Sequence, residues 1–180
     1  MQTHQIPVLG FVAASGTGKT TLLTALIPLL KQQGLQVGLI KHSHHCFQID
    51  QPGKDSFRLR EAGASPVLLV SSHRRAMITD ITPVSEPRLC DELKWFEHAG
   101  LDLILVEGFK SERFPKIELH RAELHQALYY PHDPDIIAVA ADTALDLPPY
   151  LTHLNLNAPV QIAEFVLAWL SSSKNLQSSF

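Results

Sequence analysis

Cysteine is scarce in this sequence, with only Cys46 and Cys90 among the 180 residues. Disulfide-stapled domains and zinc ribbons need more cysteines at short, regular spacings, so the composition argues against both classes. A chain with so few thiols suits a reducing compartment, and we expect the cytoplasm as its location.

The sequence also lacks an excess of charge of one sign and a long apolar run. Its 15 Lys and Arg residues against 18 Asp and Glu residues give a formal charge of −3, which argues against a broad nucleic-acid-binding surface. The apolar run from Ile6 to Ala14 is too short to cross a bilayer. The hydrophobic share of 45% is typical of a folded globular protein. We therefore expect a soluble protein that binds neither nucleic acid nor membranes.

Short apolar segments alternate along the chain with segments of helical periodicity. The expected strands are residues 6–13, 35–40, 101–106, 116–119, 136–140 and 152–156, and the expected helices are 19–33, 54–62, 86–99 and 159–170. This alternation predicts an α/β fold with a mostly parallel sheet flanked by helices. No linker divides the chain, so we expect one domain over residues 1–170 and a disordered polar tail at 171–180.

Two further β-rich segments, residues 66–71 and 75–80, are separated by only a few polar residues. So short a connection predicts an antiparallel hairpin. The hairpin near 66–80 is extra to a minimal βαβ pattern, and we expect it to cover a sheet edge or to pair with another subunit.

A glycine-rich turn joins the first strand to the first helix. Residues 13–20 read A-A-S-G-T-G-K-T, which is the P-loop pattern with Ala13 in place of its first glycine. The turn Ser15-Gly16-Thr17-Gly18 would present successive N–H groups to phosphate oxygens at the positive end of the following helix. Lys19 is expected to reach the outer phosphates of a nucleoside triphosphate, and Thr20 to bind Mg²⁺. The expected fold is therefore P-loop NTPase-like.

A second carboxylate is expected at the end of another buried strand, because P-loop enzymes use one to hold Mg²⁺ or its water shell. The apolar strand at 103–106 ends at Glu107 and Gly108. We expect Glu107 to be a metal-binding and catalytic residue, the alternative being a solvated acid at a strand end. Gly108 would let a backbone N–H approach a γ-phosphate.

A polar stretch follows the second strand. Its ionisable residues are Lys41, His42, His44, His45, Asp50, Lys54 and Asp55. The carboxyl ends of parallel strands face the ligand crevice, so we expect this stretch near the phosphates. Three interpretations remain open: a switch or substrate loop that brings Asp50 to the metal and Asp55 to the reaction, a transition-metal site of imidazoles, or a solvated loop without a role.

Asp142 follows the strand at 136–140, where P-loop GTPases often read guanine with an acid. The usual Asn-Lys-x-Asp string is absent. Asp142 is therefore a candidate guanine contact, and a helix-cap or turn aspartate is the alternative.

Six separated strings resemble one family. They are SGTGKTTLL at 15–23, GLIKHSHH at 38–45, PGKDS at 52–56, EAGA at 61–64, LILVEGFK at 103–110 and PKIELHR at 115–121. Together they resemble the MobB family of molybdopterin-guanine dinucleotide biosynthesis adaptors, over nearly the whole chain up to about residue 149. The resemblance implies a homodimeric GTP-binding protein with slow GTP hydrolysis, which works beside a MobA-like guanylyltransferase that joins GMP to molybdopterin.

The resemblance also implies roles for particular residues. The triphosphate would be held by Gly16, Gly18, Lys19, Thr20 and Thr21, and the second magnesium role would fall to Glu107. Lys110, Lys116 and Arg121 could meet an anionic molybdopterin phosphate, with exposed surface cations as the alternative. Two other functions stay open, a small-molecule kinase that positions its substrate with residues 41–56, and a metallochaperone GTPase that uses the histidines.

Overall fold

The protein is described by a computed structural model covering residues 6–43 and 47–177, with side chains described up to residue 173. In chain order the elements are β1 (Val8–Val12), α1 (Lys19–Gln32), β2 (Val37–Lys41), α2 (Asp55–Glu61), β3 (Val67–Val70), β4 (Arg75–Ile78), α3 (Leu89–Glu92), β5 (Leu103–Glu107), β6 (Lys116–His120), β7 (Ile136–Ala141), β8 (Thr152–Asn155) and α4 (Pro159–Gln177), with 3-10 turns at Leu93–Phe96 and Ala122–Leu124.

Contacts divide the chain into two compact units, whereas the sequence predicts a single domain over 1–170. The first unit comprises Met1–His42 and Arg88–Phe180, and the second comprises Ser43–Pro87. The second unit is thus an insertion between β2 and α3.

The first unit is built on a six-stranded sheet in the order β2-β5-β1-β6-β7-β8. Every neighbouring pair is parallel, which confirms the predicted α/β architecture. In this order β1 lies between β5 and β6, so the loop after β1 leaves the sheet beside the ends of both strands. Ligands of open parallel sheets bind at this carboxyl edge.

Both faces of the sheet are covered, which explains why its strands are continuous apolar runs. Leu103 and Leu105 of β5 pack with α1 and α4 on one face. Ile104 and Val106 pack with Leu89 of α3 on the other. Successive strand side chains point to opposite faces, so one short strand supplies both cores.

Two helices differ in length from the prediction. The helix expected over 86–99 is only α3, followed by the 3-10 turn. Pro87 accounts for the later start, because it disfavours helical backbone at residue 86. By contrast, α4 continues to Gln177 into the segment predicted as a disordered tail. The hydroxyls of Ser171, Ser172 and Ser173 donate to carbonyls four residues earlier, which accommodates polar side chains within the helix.

The second unit contains α2 and the hairpin of β3 and β4, which confirms the extra antiparallel pair. In this register Leu68 lies opposite Met77, and Val70 lies opposite Arg75, on the same face. Leu68, Val70 and Met77 are 53%, 65% and 42% exposed. We call these three side chains the hairpin face. Within the described residues of both units, no helix is long and apolar enough to span a membrane.

Candidate phosphate-binding site

The loop between β1 and α1 has the backbone that its glycines predict. Gly16 and Gly18 adopt φ of 80° and 98°, in the left-handed region that favours glycine. Thr17 is 2% exposed, and its hydroxyl donates to the Ala14 carbonyl at 2.9 Å. Ala13 has no positive φ, because the non-glycine residues with positive φ in the described chain are Phe109 and His125. A glycine at position 13 is therefore not required.

Lys19, the first residue of α1, folds back over this loop. Its ammonium donates to the carbonyls of Ala13 and Ala14 at 3.2 and 3.1 Å. Burial lowers the pKa of Lys19, the charge of Glu107 opposes that effect, and Lys110 and Lys41 add to the lowering. Several lysine ammonium groups thus lie at this edge of the sheet. A bound polyanion would reduce the repulsion between them.

Glu107 lies at the end of β5, between β1 and β2, where the sequence predicts a metal-binding carboxylate. Its Cα pairs with Phe11 of β1 on one side and with Lys41 of β2 on the other. The Lys41 ammonium lies 3.1 and 3.0 Å from the two carboxylate oxygens. Both oxygens of Glu107 therefore contact one cation, and a metal ion there would share or replace Lys41. Its role toward Mg²⁺ stays a prediction.

Gly108 and His42 tie the ends of β5 and β2 together. The His42 amide donates to the Glu107 carbonyl at 2.8 Å. Gly108 has φ of 105°, and a Cβ there would come within 2.7 Å of the His42 Cβ. The His42 ring stacks on Phe109, with 4.6 Å between ring centroids. Gly108 and Phe109, which directly follow β5, thus pack closely against His42, the first histidine of the polar stretch.

Arg121 contacts the phosphate loop directly, which the sequence does not predict. Its Nε donates to the Thr17 carbonyl at 2.9 Å, and its Nη1 lies 3.6 Å from Asp142 Oδ2. Asp142 Oδ1 accepts the Ala122 amide at 3.0 Å. Arg121 and Asp142 follow neighbouring strands β6 and β7, so they meet at the carboxyl edge beside the loop. The guanine-contact role of Asp142 stays a prediction, and both of its oxygens have protein partners here.

Two charged residues of β6, Lys116 and Glu118, are each 1% exposed. The Lys116 ammonium pairs with Asp133 at 2.9 Å and lies over the Phe114 ring, so Lys116 is not a surface lysine. The signal in the sequence was the alternation Lys-Ile-Glu within an apolar strand. Such alternation places both charges on one face of the sheet.

Glu118 lines a small pocket of about 10 Å³ next to the loop, together with Ala14, Thr17 and Arg121. Its carboxylate accepts the backbone amides of Tyr129 and Tyr130 at 2.7 and 2.9 Å. Burial raises the pKa of Glu118 above its ordinary value of 4.5, although the two amide bonds act in the opposite direction.

Asp50 and Asp55, predicted as metal-binding and catalytic residues, belong to the second unit. Asp55 begins α2. Asp50 Oδ1 accepts the Ser56 hydroxyl at 2.9 Å, and no described group donates to its buried Oδ2. Both roles stay predictions.

The histidine interpretations fall partly on His44 and His45, which lie outside the described residues. Within residues 6–43 and 47–177, no group of three or more His, Cys, Asp or Glu side chains could hold a metal ion.

A parallel α/β sheet, a glycine-rich loop and a lysine that opens the following helix define a P-loop NTPase-like protein. Residues 8–142 match the family described as MobB, molybdopterin guanine dinucleotide synthesis protein B. The chain belongs to this family, which confirms the resemblance of its motifs.

Full-length relatives agree with this assignment. The chain is 46% identical over 169 residues to the molybdopterin-guanine dinucleotide biosynthesis adapter protein of Haemophilus influenzae, covering 93% of this chain and 91% of that protein. It is 45% identical to the adapter protein of the same name from Escherichia coli, covering 92% and 94% of the two chains. The crystal structure of a MobB homolog from Bacillus stearothermophilus superposes with a TM-score of 0.70 at 25% identity, covering 92% of this chain and 98% of that one.

Replacing Glu118 by Gln should change how stability depends on pH. A pKa raised by folding means that the folded protein keeps a proton that the unfolded chain releases above about 4.5, so the free energy of unfolding falls as pH rises through this window. Glu118→Gln removes that decline. Urea unfolding over a pH series measures it, and Glu164→Gln, on the exposed side of α4, should retain the decline. A difference between wild type and Glu118→Gln that does not change with pH would contradict the assignment.

Proposed function

We propose that this protein is a GTP-binding adaptor for molybdopterin-guanine dinucleotide biosynthesis, with slow GTP hydrolysis. The observation that carries the proposal is the formed phosphate loop, in which Lys19 lies across the carbonyls of Ala13 and Ala14. Two full-length relatives at 45–46% identity bear the adapter name. The name supports a role in molybdopterin-guanine dinucleotide biosynthesis, and the geometry of the loop supports a nucleoside triphosphate as the ligand.

The loop has the groups that a triphosphate needs. Gly16 faces open space where a Cβ would stand, so its backbone is accessible to an anion. The amides from Ser15 to Thr21 would bind phosphate oxygens at the N-terminus of α1. The Lys19 ammonium would transfer from the loop carbonyls to the outer phosphates as a charge-assisted donor. These groups bind and orient the triphosphate without forming a covalent bond to it.

Magnesium would be held by the Thr20 hydroxyl and by Glu107 at the end of β5, with phosphate oxygens and water completing the shell. In the structure Lys41 neutralises Glu107. We infer that Lys41 leaves the carboxylate, or shares it, when a metal–nucleotide complex binds. The metal-binding role of Asp50 and the catalytic role of Asp55, both in the second unit, stay proposals from the sequence.

A MobA-like guanylyltransferase is the partner that fits this role, because that class of enzyme attaches GMP to molybdopterin. Lys110 is the cation we propose for an anionic molybdopterin phosphate, because Arg121 is already paired with the Thr17 carbonyl and with Asp142. The Lys110 ammonium lies 3.2 Å from the Tyr129 hydroxyl, and both residues line a pocket of about 160 Å³ with His132 and Asp133. Lys116 is withdrawn from this proposal, because its ammonium is buried against Asp133.

Lys19→Ala should weaken GTP binding by at least about 30-fold, since losing a paired charge costs about 2–5 kcal/mol. Its ammonium contacts the loop rather than the core, so the melting temperature should change little. Calorimetric titration with GTP and with ATP in Mg²⁺ measures affinity and base preference, with phosphate release followed in the same samples. Lys31→Ala, at the exposed end of α1, is the matched control and should bind like wild type.

Normal GTP binding by Lys19→Ala would overturn the phosphate-loop assignment. Equal affinity for ATP and GTP would remove the guanine part of the proposal. Rapid consumption of nucleotide triggered by one metabolite would point to a kinase instead.

The hairpin face supports a homodimer. A two-stranded hairpin is marginally stable in water unless it packs against another element, and among the described elements of the second unit β3 packs against α2. The hairpin face presents Leu68, Val70 and Met77 together on one side. A second copy of the chain is the partner that the family resemblance implies.

Leu68→Glu should raise the dimer dissociation constant by at least about 30-fold, because dimerisation would bury an unpaired carboxylate at a cost of several kcal/mol. Light scattering across a micromolar dilution series measures the assembly. Leu59→Glu introduces the same charge at a 61% exposed position on α2 and should leave the dimer intact. A wild-type chain that stays monomeric, or a Leu68→Glu dimer of unchanged stability, would refute this interface.

A further inference from the structure

The peptide between Thr17 and Gly18 is the point where Arg121 holds the phosphate loop. Arg121 Nε donates to the Thr17 carbonyl at 2.9 Å. Because the peptide group is planar and trans, the carbonyl of Thr17 and the amide of Gly18 point in opposite directions. A donor that fixes this carbonyl on one side therefore fixes where the Gly18 amide points on the other.

The hydrogen bond from Arg121 matters because Gly18 leaves the orientation of this peptide weakly constrained. The φ of 98° at Gly18 is in the left-handed region, and a glycine can rotate its adjoining peptides at low cost. A phosphate loop that samples several peptide orientations must be ordered when the anion binds, which reduces affinity. A built Cβ at Gly18 would lie 3.7 Å from Arg121 Nη2, so the guanidinium lies directly along this residue.

Asp142 holds Arg121 in place. Strands β6 and β7 pair with His120 opposite Ala141, which brings the next residues, Arg121 and Asp142, together. Asp142 Oδ1 accepts the Ala122 amide at 3.0 Å, and Oδ2 lies 3.6 Å from Arg121 Nη1. The Asp142 carboxylate thus contacts both the backbone and the side chain of this segment. The planar guanidinium can then contact the loop and the acid together, which a lysine ammonium cannot do in the same way.

We propose that Arg121, held by Asp142, is a positioning residue that orients the Thr17–Gly18 peptide so that the Gly18 amide faces a bound phosphate. The inference rests on the proposed binding of a nucleoside triphosphate at this loop. In this role Asp142 supports phosphate binding by holding Arg121, and it makes no contact with the nucleotide base. Consequently, both residues affect GTP, ATP and inorganic tripolyphosphate equally.

Calorimetry with these three anions tests the inference in wild type, Arg121→Ala, Asp142→Asn and the double variant. We expect Arg121→Ala and Asp142→Asn each to weaken all three anions by a common factor of about 10, as for loss of a charged hydrogen bond. The double variant should be no weaker than Arg121→Ala, because the two residues act through one contact. Arg121→Lys, which retains the charge and much of the side-chain length, is the second variant should Arg121→Ala unfold, and it should also bind more weakly than wild type.

The matched control is Arg113→Ala. Arg113 pairs with Asp135 in the same unit, and its side chain is 77% exposed, so its loss removes an Arg–Asp pair without touching the loop. This variant should bind all three anions like wild type.

The Gly18 amide resonance of the ligand-free protein separates positioning from a general loss of stability. It should shift in Arg121→Ala and in Asp142→Asn but stay unchanged in Arg113→Ala. An unshifted resonance with wild-type affinity for tripolyphosphate would overturn the inference and leave the proposed function standing. A loss confined to GTP in Asp142→Asn would also overturn it, since Asp142 would then read the base. If wild type binds none of the three anions, the proposed function fails as well.

Discussion

The site depends on one constraint, the convergence of backbone amides in a short turn between the buried strand β1 and the helix α1. Amides can converge there only if Gly16 and Gly18 take positive φ, which other residues adopt at a cost. The buried sheet on one side and the packed helix on the other fix the two ends of the turn. The packed core therefore fixes both ends of the loop.

Electrostatics at this edge of the sheet favour an anion. Burial is the main cause of the lowered pKa of Lys19, the charge of Glu107 opposes it, and the charges of Lys110 and Lys41 lower the pKa further. Two of the ammonium groups are held by protein oxygens, Lys19 by loop carbonyls and Lys41 by Glu107. In the proposed complex, phosphate oxygens would replace the loop carbonyls as partners of Lys19, and a metal ion would compete with Lys41 for Glu107. Binding would thus exchange partners at a site that is already formed.

Sequence reasoning reached the features that arise from local patterns. Glycine spacing predicted the loop, apolar runs predicted the parallel strands, and the short polar gap after residue 71 predicted the hairpin. The pairing of Arg121 with Thr17 spans 104 positions in the chain and depends on the strand order, which no local pattern encodes. The burial of Lys116 is similar, because its partner Asp133 lies in the loop that precedes β7. The sequence predicts too short an α4, because a run of serines is typical of a polar tail. In the structure the serine hydroxyls instead donate to carbonyls within the helix.

The central claim is that Lys19 and the loop amides hold the triphosphate of GTP. A crystal structure of the protein with Mg²⁺ and a non-hydrolysable GTP analogue tests it most directly. The account predicts the triphosphate within the loop, with the Lys19 ammonium moved from the Ala13 and Ala14 carbonyls to outer phosphate oxygens at hydrogen-bond distance. An analogue bound elsewhere, or bound while Lys19 keeps its loop carbonyls, would contradict it.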